Sequence, residues 1–158
     1  MDVLLATPDD VEAIRRFGAE HIPSHYGPLL GPDAARAQVD NWWTIERMAK
    51  AVSEGRVVVA KDDGNVVGVG EWSIYQGIPV IWKLYVHPSL RGRGTGPRLI
   101  DAIIAGLPDG VDRLQVEHFA GNRRAGAFYE REGFREIRKG QHPSNSVFDV
   151  VWRERSLR

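Results

Sequence analysis

The sequence predicts one mixed α/β domain, in which helices cover both faces of a twisted and mostly antiparallel sheet. Apolar residues first recur at helical spacing and then alternate at strand spacing around a tight-turn signal, after which helix and strand patterns alternate. The 158 residues suffice for a single domain, residues 1–158, with a substantial core. The expected order of elements is β-α-α-β-β-β-α-β-α-β-β.

The N-terminal part predicts one strand, two helices and a loop between them. After the short strand "MDVLLA", the first helix is expected over residues 7–21, where Thr7 can cap it and Pro8 suits its first turn. Residues 22–33 contain three prolines and two glycines, which predicts an irregular loop. The second helix is expected over residues 33–53. Its apolar side would consist of Val39, Trp42, Trp43, Met48 and Val52.

After residue 56 the apolar pattern changes to the spacing of strands. Residues 56–75 predict two strands joined by "DDGN", which is a strong hairpin signal, and residues 77–88 predict a third strand. A glycine-rich turn then leads into a helix over residues 95–107. The remaining elements are a strand at 112–119, a short helix at 122–132, and strands at 133–137 and 146–154.

Composition excludes several classes of protein. Lys plus Arg equals Asp plus Glu at 21 each, so no global basic field favours nucleic acid or a membrane surface as a partner. The absence of cysteine excludes disulfides, Cys-based zinc sites and a Cys nucleophile, and no metal site is predicted. Without a signal-peptide pattern or a run of about 20 apolar residues, we expect a soluble cytoplasmic protein.

The segment "RGRGTG", residues 91–96, lies between a predicted strand and a predicted helix. The N–H groups at a helix start attract phosphate, and glycine lets the backbone approach it closely. Side chains of Arg91, Arg93 and Thr95 can add hydrogen bonds to phosphate oxygens. A turn kept flexible by glycine explains these six residues equally well. The P-loop and dinucleotide patterns both fail, because no Lys follows the glycines and Pro97 occupies the last fingerprint position.

Two motifs resemble those of the GCN5-related N-acetyltransferases, the GNAT family. Arg91, Gly94 and Gly96 match the R/Q-x-x-G-x-G/A cofactor motif, after the strand end "LYVHP" that usually precedes it. Residues 122–134, "NRRAGAFYEREGF", resemble the family's N-x-x-A-x-x-[FL]-Y-x-x-x-G-F segment. The order of elements also matches along nearly the whole chain. The resemblance implies a GNAT-like sheet and transfer of an acetyl group from acetyl-CoA to a primary amine.

The resemblance also implies where acetyl-CoA binds. Main-chain groups of Leu84, Tyr85 and Val86 would pair with the pantetheine amides, between strands at residues 81–87 and 113–118. An N–H near Leu84 or Tyr85 would polarise the thioester carbonyl and stabilise the oxyanion. The glycine turn would hold the pyrophosphate through backbone N–H groups. Its residues are Arg91, Gly92, Arg93, Gly94, Thr95 and Gly96.

Two catalytic roles and one more cofactor contact follow from the resemblance. Tyr129 matches the tyrosine near the cofactor sulfur, and a free phenol, protonated up to about pH 10, can donate a proton to the thiolate. A core position is the alternative for Tyr129. Asn122 is expected to contact the cofactor and to cap a helix. For the general base we favour Glu71, because its apolar surroundings disfavour the charged form. An ion-paired or solvent-facing Glu71 is the alternative, and Glu117 and His118 are the other candidate bases.

The acceptor is expected to be a small amine or an amino-acid-like molecule. Residues 21–33 and the helix with Trp42 and Trp43 would form its pocket, since aromatic faces bind cations. Further rings across the meander belong to Trp72, Tyr75 and Trp82. Without cysteine no acyl-cysteine can form, so we expect direct attack in a ternary complex. The alternative function is a non-catalytic acyl-CoA-binding regulatory domain. Because oligomers are common in the family, the resemblance is also compatible with a homodimer.

Overall fold

The computed structural model describes residues 1–158. Its helices are α1 (Val11–Leu30), α2 (Pro32–Trp42), α3 (Ile45–Ser53), α4 (Thr95–Ala105) and α5 (Arg123–Arg131). Its strands are β1 (Asp2–Leu5), β2 (Val57–Asp62), β3 (Asn65–Tyr75), β4 (Ile78–Val86), β5 (Arg113–Phe119), β6 (Arg135–Gly140) and β7 (Val150–Ser156). The strand order is β1-β2-β3-β4-β5-β7-β6, with β4 and β5 parallel. The predicted mixed, mostly antiparallel fold is confirmed. None of the helices has the length and apolar character needed to cross a membrane.

The chain forms two compact units. The first contains Met1–Trp72 and Lys83–Gly106, and the second contains Ser73–Trp82 and Leu107–Arg158. Strands β3 and β4 therefore each contribute residues to both units. The prediction of a single domain stays a prediction.

In the first unit, helices cover both faces of the sheet. On one face α4 lies so close that a Cβ atom on Gly70 would be 3.0 Å from side-chain atoms of Ile103 and Val58. On the other face, the ring of Tyr85 contacts Trp43, with centroids 5.6 Å apart. The close approach of α4 explains why the apolar pattern of β3 is interrupted by glycine.

The predicted loop over residues 22–33 is wrong, because α1 continues to its end at residue 30 and α2 begins at Pro32. Pro23 and Pro28 lie inside α1, where a proline removes a hydrogen bond and costs about 3 kcal/mol. The same segment buries three large side chains, each worth on the order of 1.5–3 kcal/mol. They are Ile22, Tyr26 and Leu30. Tertiary packing therefore outweighs the local preference for a loop.

The single helix predicted over residues 33–53 is also wrong, because the chain breaks it into α2 and α3. Thr44 caps α3 by accepting a hydrogen bond from the N–H of Arg47 at 3.2 Å. The break buries Trp43, which is 2% exposed, and leaves Trp42 48% exposed. Trp42 is thus not on the apolar side as predicted, and the Arg47 guanidinium lies 4.7 Å from its ring centroid.

The elements after residue 56 follow the prediction closely, with two differences. Strand β6 covers Arg135–Gly140 rather than residues 133–137, and the last strand begins later than predicted. Asp63 and Gly64 join β2 to β3 with φ values of 52° and 79°, and left-handed values at both positions are typical of a type I′ hairpin turn. The last strand begins at Val150 rather than at residue 146. The preceding residues form a 3-10 turn, which Asn145 caps by accepting the N–H of Val147 at 3.1 Å.

Gly18 of α1 lies directly against the ring of Trp43. A Cβ atom on Gly18 would be 2.3 Å from Trp43 Cε3. We expect Gly18→Ala to lower the free energy of unfolding by about 1–3 kcal/mol through overpacking, although alanine is the better helix former. Gly27→Ala is the matched control in the same helix, where nothing lies within 4 Å, and should cause no such loss. Urea unfolding measures both variants, and equal stabilities would contradict this contact.

Candidate active site

The glycine turn lies between β4 and α4 in the first unit. Gly92 and Gly94 have φ values of 76° and 81°, left-handed values that favour glycine, and Gly94 immediately precedes α4. The first turn of α4 begins with Thr95 and Gly96 and then Pro97, which has no N–H. The turn therefore presents backbone N–H groups at a helix start, as a phosphate site requires.

The side chains of this turn differ in what they can offer a phosphate. Thr95 is 2% exposed, and its hydroxyl lies 3.5 Å from Met1 Sδ. Its backbone N–H, rather than the predicted hydroxyl, is therefore the group suited to a phosphate oxygen. Arg93 is exposed, and Arg91 Nη2 lies 3.4 Å from His25 Nδ1. These two guanidinium groups keep the turn positively charged.

Side chains of α1 pack against β4 and the start of the turn. The His21 ring lies 4.7 Å from that of His87, and burial lowers the pKa of His21. The hydroxyl of Tyr26 is hydrogen-bonded to the hydroxyl of Tyr85. A helix, not a loop, thus places these side chains beside the strand that is predicted to hold the cofactor.

Glu71, the favoured candidate for the general base, is ion-paired. Its Oε1 accepts from Lys83 Nζ at 2.7 Å, and its Oε2 lies 3.6 Å from Arg56 Nη1. Burial lowers the pKa of Lys83, and Glu71 acts in the opposite direction. The Lys83 ammonium also lies 5.3 Å from the ring centroid of Trp43. Because two cations stabilise the Glu71 carboxylate, the geometry favours the ion-paired alternative over proton abstraction.

In the second unit, aromatic neighbours hold Tyr129, which is 7% exposed. Its ring stacks on His118, with centroids 6.0 Å apart and planes inclined by 21°. His118 Nε2 accepts from Arg153 Nε at 3.0 Å, which leaves Nδ1 to donate to the Phe119 carbonyl at 2.8 Å. Burial also lowers the pKa of His118. His118 has no lone pair left for a substrate proton, so it supports Tyr129 and does not suit the role of base.

Asn122 begins α5 as predicted from its capping chemistry. Its Oδ1 accepts a hydrogen bond from the N–H of Ala125 at 3.2 Å. The capping role is therefore present in the structure, and the cofactor contact stays a prediction.

Glu117 differs from the other two candidate bases, because its side chain has neither a hydrogen bond nor an ion pair. Burial raises the pKa of its carboxyl, and the charge of Arg138 acts more weakly in the opposite direction. Of the three candidates it is the one whose carboxylate is left for an incoming group.

The sequence analysis did not identify Lys83 and Arg153, which donate hydrogen bonds to the candidate bases Glu71 and His118. Lys83 binds Glu71 across 12 positions of the chain, and Arg153 binds His118 across 35 positions. No local spacing links such pairs. The one available signal was a lysine inside the apolar strand "VIWKLYV", since a buried ammonium needs a partner.

Residues 53–136, more than half of the chain, match the family model described as the acetyltransferase (GNAT) domain. The chain belongs to the GNAT family. Membership confirms the resemblance inferred from the two motifs, the acyltransferase class and acetyl-CoA as the cofactor. A sequence search of curated proteins found no match for this GNAT chain.

Solved structures share the fold of this GNAT protein over nearly its whole length. PaiA N-acetyltransferase from Thermoplasma acidophilum, solved in complex with coenzyme A, is 15% identical with a TM-score of 0.82, and 98% of each chain is covered. A GCN5-related N-acetyltransferase from Rhodopseudomonas palustris is 21% identical with a TM-score of 0.77, covering 99% of this chain and 95% of the other. Ard1 from Thermoplasma volcanium is 19% identical with a TM-score of 0.74, covering 99% and 97%.

Proposed function

We propose that the protein moves an acetyl group from acetyl-CoA to a primary amine by direct attack in a ternary complex. The observation that carries this proposal is the turn before α4, where Gly92 and Gly94 adopt left-handed φ values within the matched GNAT region. Such a turn suits the pyrophosphate of the cofactor, because its N–H groups and the nearby guanidinium groups of Arg91 and Arg93 complement negative charge.

The chain's own residues account for the remaining steps. Acetyl-CoA supplies the activated thioester. An N–H of Leu84 or Tyr85 on β4 would polarise the acetyl carbonyl. The hydroxyl of Tyr129 would donate a proton to the departing sulfur, while the amine passes its own proton to a base or to solvent. With no cysteine in the chain, this route forms no acyl-cysteine.

The acceptor, proposed as a small amine or an amino-acid-like molecule, would contact the side chains of α1 and Trp43 rather than a loop. The Tyr26–Tyr85 hydroxyl pair and the neighbouring His25 ring support this placement, because they line one face of β4. A homodimer and a cytoplasmic location stay predictions.

A thermal-shift comparison with acetyl-CoA, CoA, NAD and ATP tests the proposal first. A ligand at 100 times its Kd should add about 2.7 kcal/mol of stability. Stabilisation by acetyl-CoA and CoA, together with turnover on an amine panel, would support the transferase. Stabilisation without turnover would favour a non-catalytic acyl-CoA-binding domain, and a response to ATP alone would contradict both.

Gly94→Val tests the position of the phosphate. Valine is strained at a φ of 81°, so the turn should rearrange and CoA affinity should fall at least about tenfold. Gly64→Val is the matched control, because it places the same strain at a φ of 79° in the β2–β3 hairpin. Titration calorimetry with CoA compares the two, and an equal affinity in both variants would show that the phosphate lies elsewhere.

A further inference from the structure

The second unit contains a half-buried carboxylate flanked by tryptophans. Glu117 lies directly opposite Trp152 in the antiparallel β5–β7 pair, so both side chains are on one face of the sheet. On the other side, β4 pairs with β5 at Ile81 and Val116, and Trp82 and Glu117 are the next residues of these parallel strands. Glu117 therefore lies on the strand between those that carry Trp82 and Trp152.

Three rings form one cluster on this face, and we call Tyr75, Trp82 and Trp152 the aromatic cluster. Tyr75 lies 5.7 Å from Trp82 and 5.8 Å from Trp152, and the two indoles are 5.9 Å apart, all measured between centroids. Trp82 Nε1 donates to Ser73 Oγ at 2.7 Å, which fixes its ring. Because Tyr75 is 43% exposed, the cluster is open to solvent at one edge.

The Glu117 carboxylate lacks a partner within this apolar setting. No fully buried side-chain oxygen or nitrogen of the protein is without a hydrogen bond, so the unpaired oxygens of Glu117 must still be reachable by solvent. The guanidinium of Arg138 lies 4.3 Å from the ring centroid of Trp152 but forms no ion pair with Glu117. An unpaired carboxylate at a half-buried position costs stability, and a cationic ligand would remove that cost.

We propose that Glu117 and the aromatic cluster bind the ammonium group of an amine that carries a single positive charge and an apolar body. The carboxylate would accept charge-assisted hydrogen bonds from the ammonium, and the rings would contact the cation and the apolar body. The charge of Arg138 disfavours a second cationic group, which excludes polyamines. This site consists of residues of the second unit, whereas the acetyl acceptor is proposed at α1 and Trp43 of the first, so binding of this amine does not rest on the proposed function.

The other aromatic group beside a carboxylate does not meet these requirements. In the first unit, the Lys83 ammonium already lies over the Trp43 ring. Lys83 and Arg56 together neutralise the Glu71 carboxylate. An ammonium ligand would find no unpaired anion there.

Titration calorimetry with three probes tests the site: phenethylammonium, neutral 2-phenylethanol and the polycation spermidine. Glu117→Gln should weaken phenethylammonium binding at least about tenfold, since a charge-assisted hydrogen bond is lost. Glu136→Gln is the matched control, because Glu136 lies opposite Arg153 in the β6–β7 register, on the other face of the sheet. This variant should bind phenethylammonium like the wild type. Equal binding to Glu117→Gln, or equal affinity for 2-phenylethanol or spermidine, would overturn the proposal.

The same variant should be more stable than the wild type at neutral pH. Burial raises the pKa of Glu117 above its ordinary value of 4.5, so the folded protein holds more protons than the unfolded chain between the two values. Wild-type stability therefore falls as pH rises through this window, and Glu117→Gln does not share that loss. Below about pH 4 the two proteins should converge. Thermal unfolding across this pH range measures the difference in stability between the variant and the wild type. A variant that is less stable at neutral pH would contradict the conclusion that the Glu117 carboxylate is unpaired.

Two further measurements distinguish an ammonium site from the cofactor site and from a subunit interface. If phenethylammonium requires Glu117 but acetyl-CoA causes no thermal shift, the site stands and the proposed function fails. If acetyl-CoA binds and phenethylammonium does not, the site fails alone. Sedimentation tests whether a second copy covers the rings, and a dimer that Tyr75→Ala dissociates would overturn the proposal.

Discussion

Glu71→Gln is expected to destabilise the protein by about 3–5 kcal/mol, the usual cost of removing one partner from a buried ion pair. The side chains of Glu71 and Lys83 are 13% and 8% exposed, so solvent cannot replace the lost charge. Arg56 cannot compensate either, because it is another cation. Denaturant unfolding at neutral pH measures the loss, and a variant as stable as the wild type would show that this pair contributes little.

The loss should shrink as pH rises. Burial already lowers the pKa of Lys83 below its ordinary value of 10.5, and removing Glu71 takes away the group that raises it. The folded variant therefore releases its proton at lower pH than the unfolded chain does, and its stability increases as pH rises toward 10.5. A loss that is constant with pH would mean that the effect comes from packing rather than charge.

A double variant separates the structural role of Glu71 from catalysis. Glu71→Gln combined with Lys83→Met removes both charges and should regain most of the stability. If this stable double variant turns over like the wild type, Glu71 is not the general base. A stable protein without turnover would support the role predicted from the sequence.

Tyr129→Phe is expected to lower kcat by about 10²–10⁴ while acetyl-CoA affinity stays unchanged, because general acid catalysis contributes about that much. The phenyl ring keeps the stack on His118 and the contacts that bury Tyr129. The expected loss therefore comes from the hydroxyl alone. Steady-state kinetics with a saturating amine measures kcat, and an unchanged kcat would leave Tyr129 as a core residue.

Thermal unfolding and CoA titration of Tyr129→Phe serve as controls. The CoA titration should match the wild type, and thermal unfolding measures what the hydroxyl itself contributes to stability. His118→Leu provides a second comparison, because it removes the stacked support but leaves the hydroxyl. A smaller loss of kcat in His118→Leu than in Tyr129→Phe is the pattern expected for a positioning residue beside the proton donor.

Local chemistry explains which elements were predicted correctly. The β-branched apolar runs of β2 to β4 favour strands locally, and the "DDGN" turn needs no distant contacts, since Asp63 and Gly64 favour left-handed φ values on their own. The glycine turn is equally local, with Gly92 and Gly94 at positive φ before α4. The fold class and the glycine turn before α4 could therefore be predicted from the sequence.

The helix errors have a different cause. Pro23 and Pro28 indicate a loop locally, and only the burial of side chains such as Ile22 makes a helix favourable there. In the segment "WWT", residues 42–44, no local pattern indicates that Trp43 is buried and Trp42 is exposed. Whether a helix continues through a segment of low helix propensity depends on packing against residues that are distant in sequence.

The sequence by itself determined the family, the sheet and the glycine turn, because strand propensity, left-handed glycines and helix starts are set by short-range sterics and dipoles. Only the tertiary structure decided how Glu71, His118 and Glu117 differ. Lys83 and Arg56 neutralise the Glu71 carboxylate, and Arg153 donates a hydrogen bond to the one free lone pair of His118. The Glu117 carboxylate has neither a hydrogen bond nor an ion pair. These differences arise from charges and rings brought together across the chain, and the behaviour of an ionisable side chain depends on those neighbours.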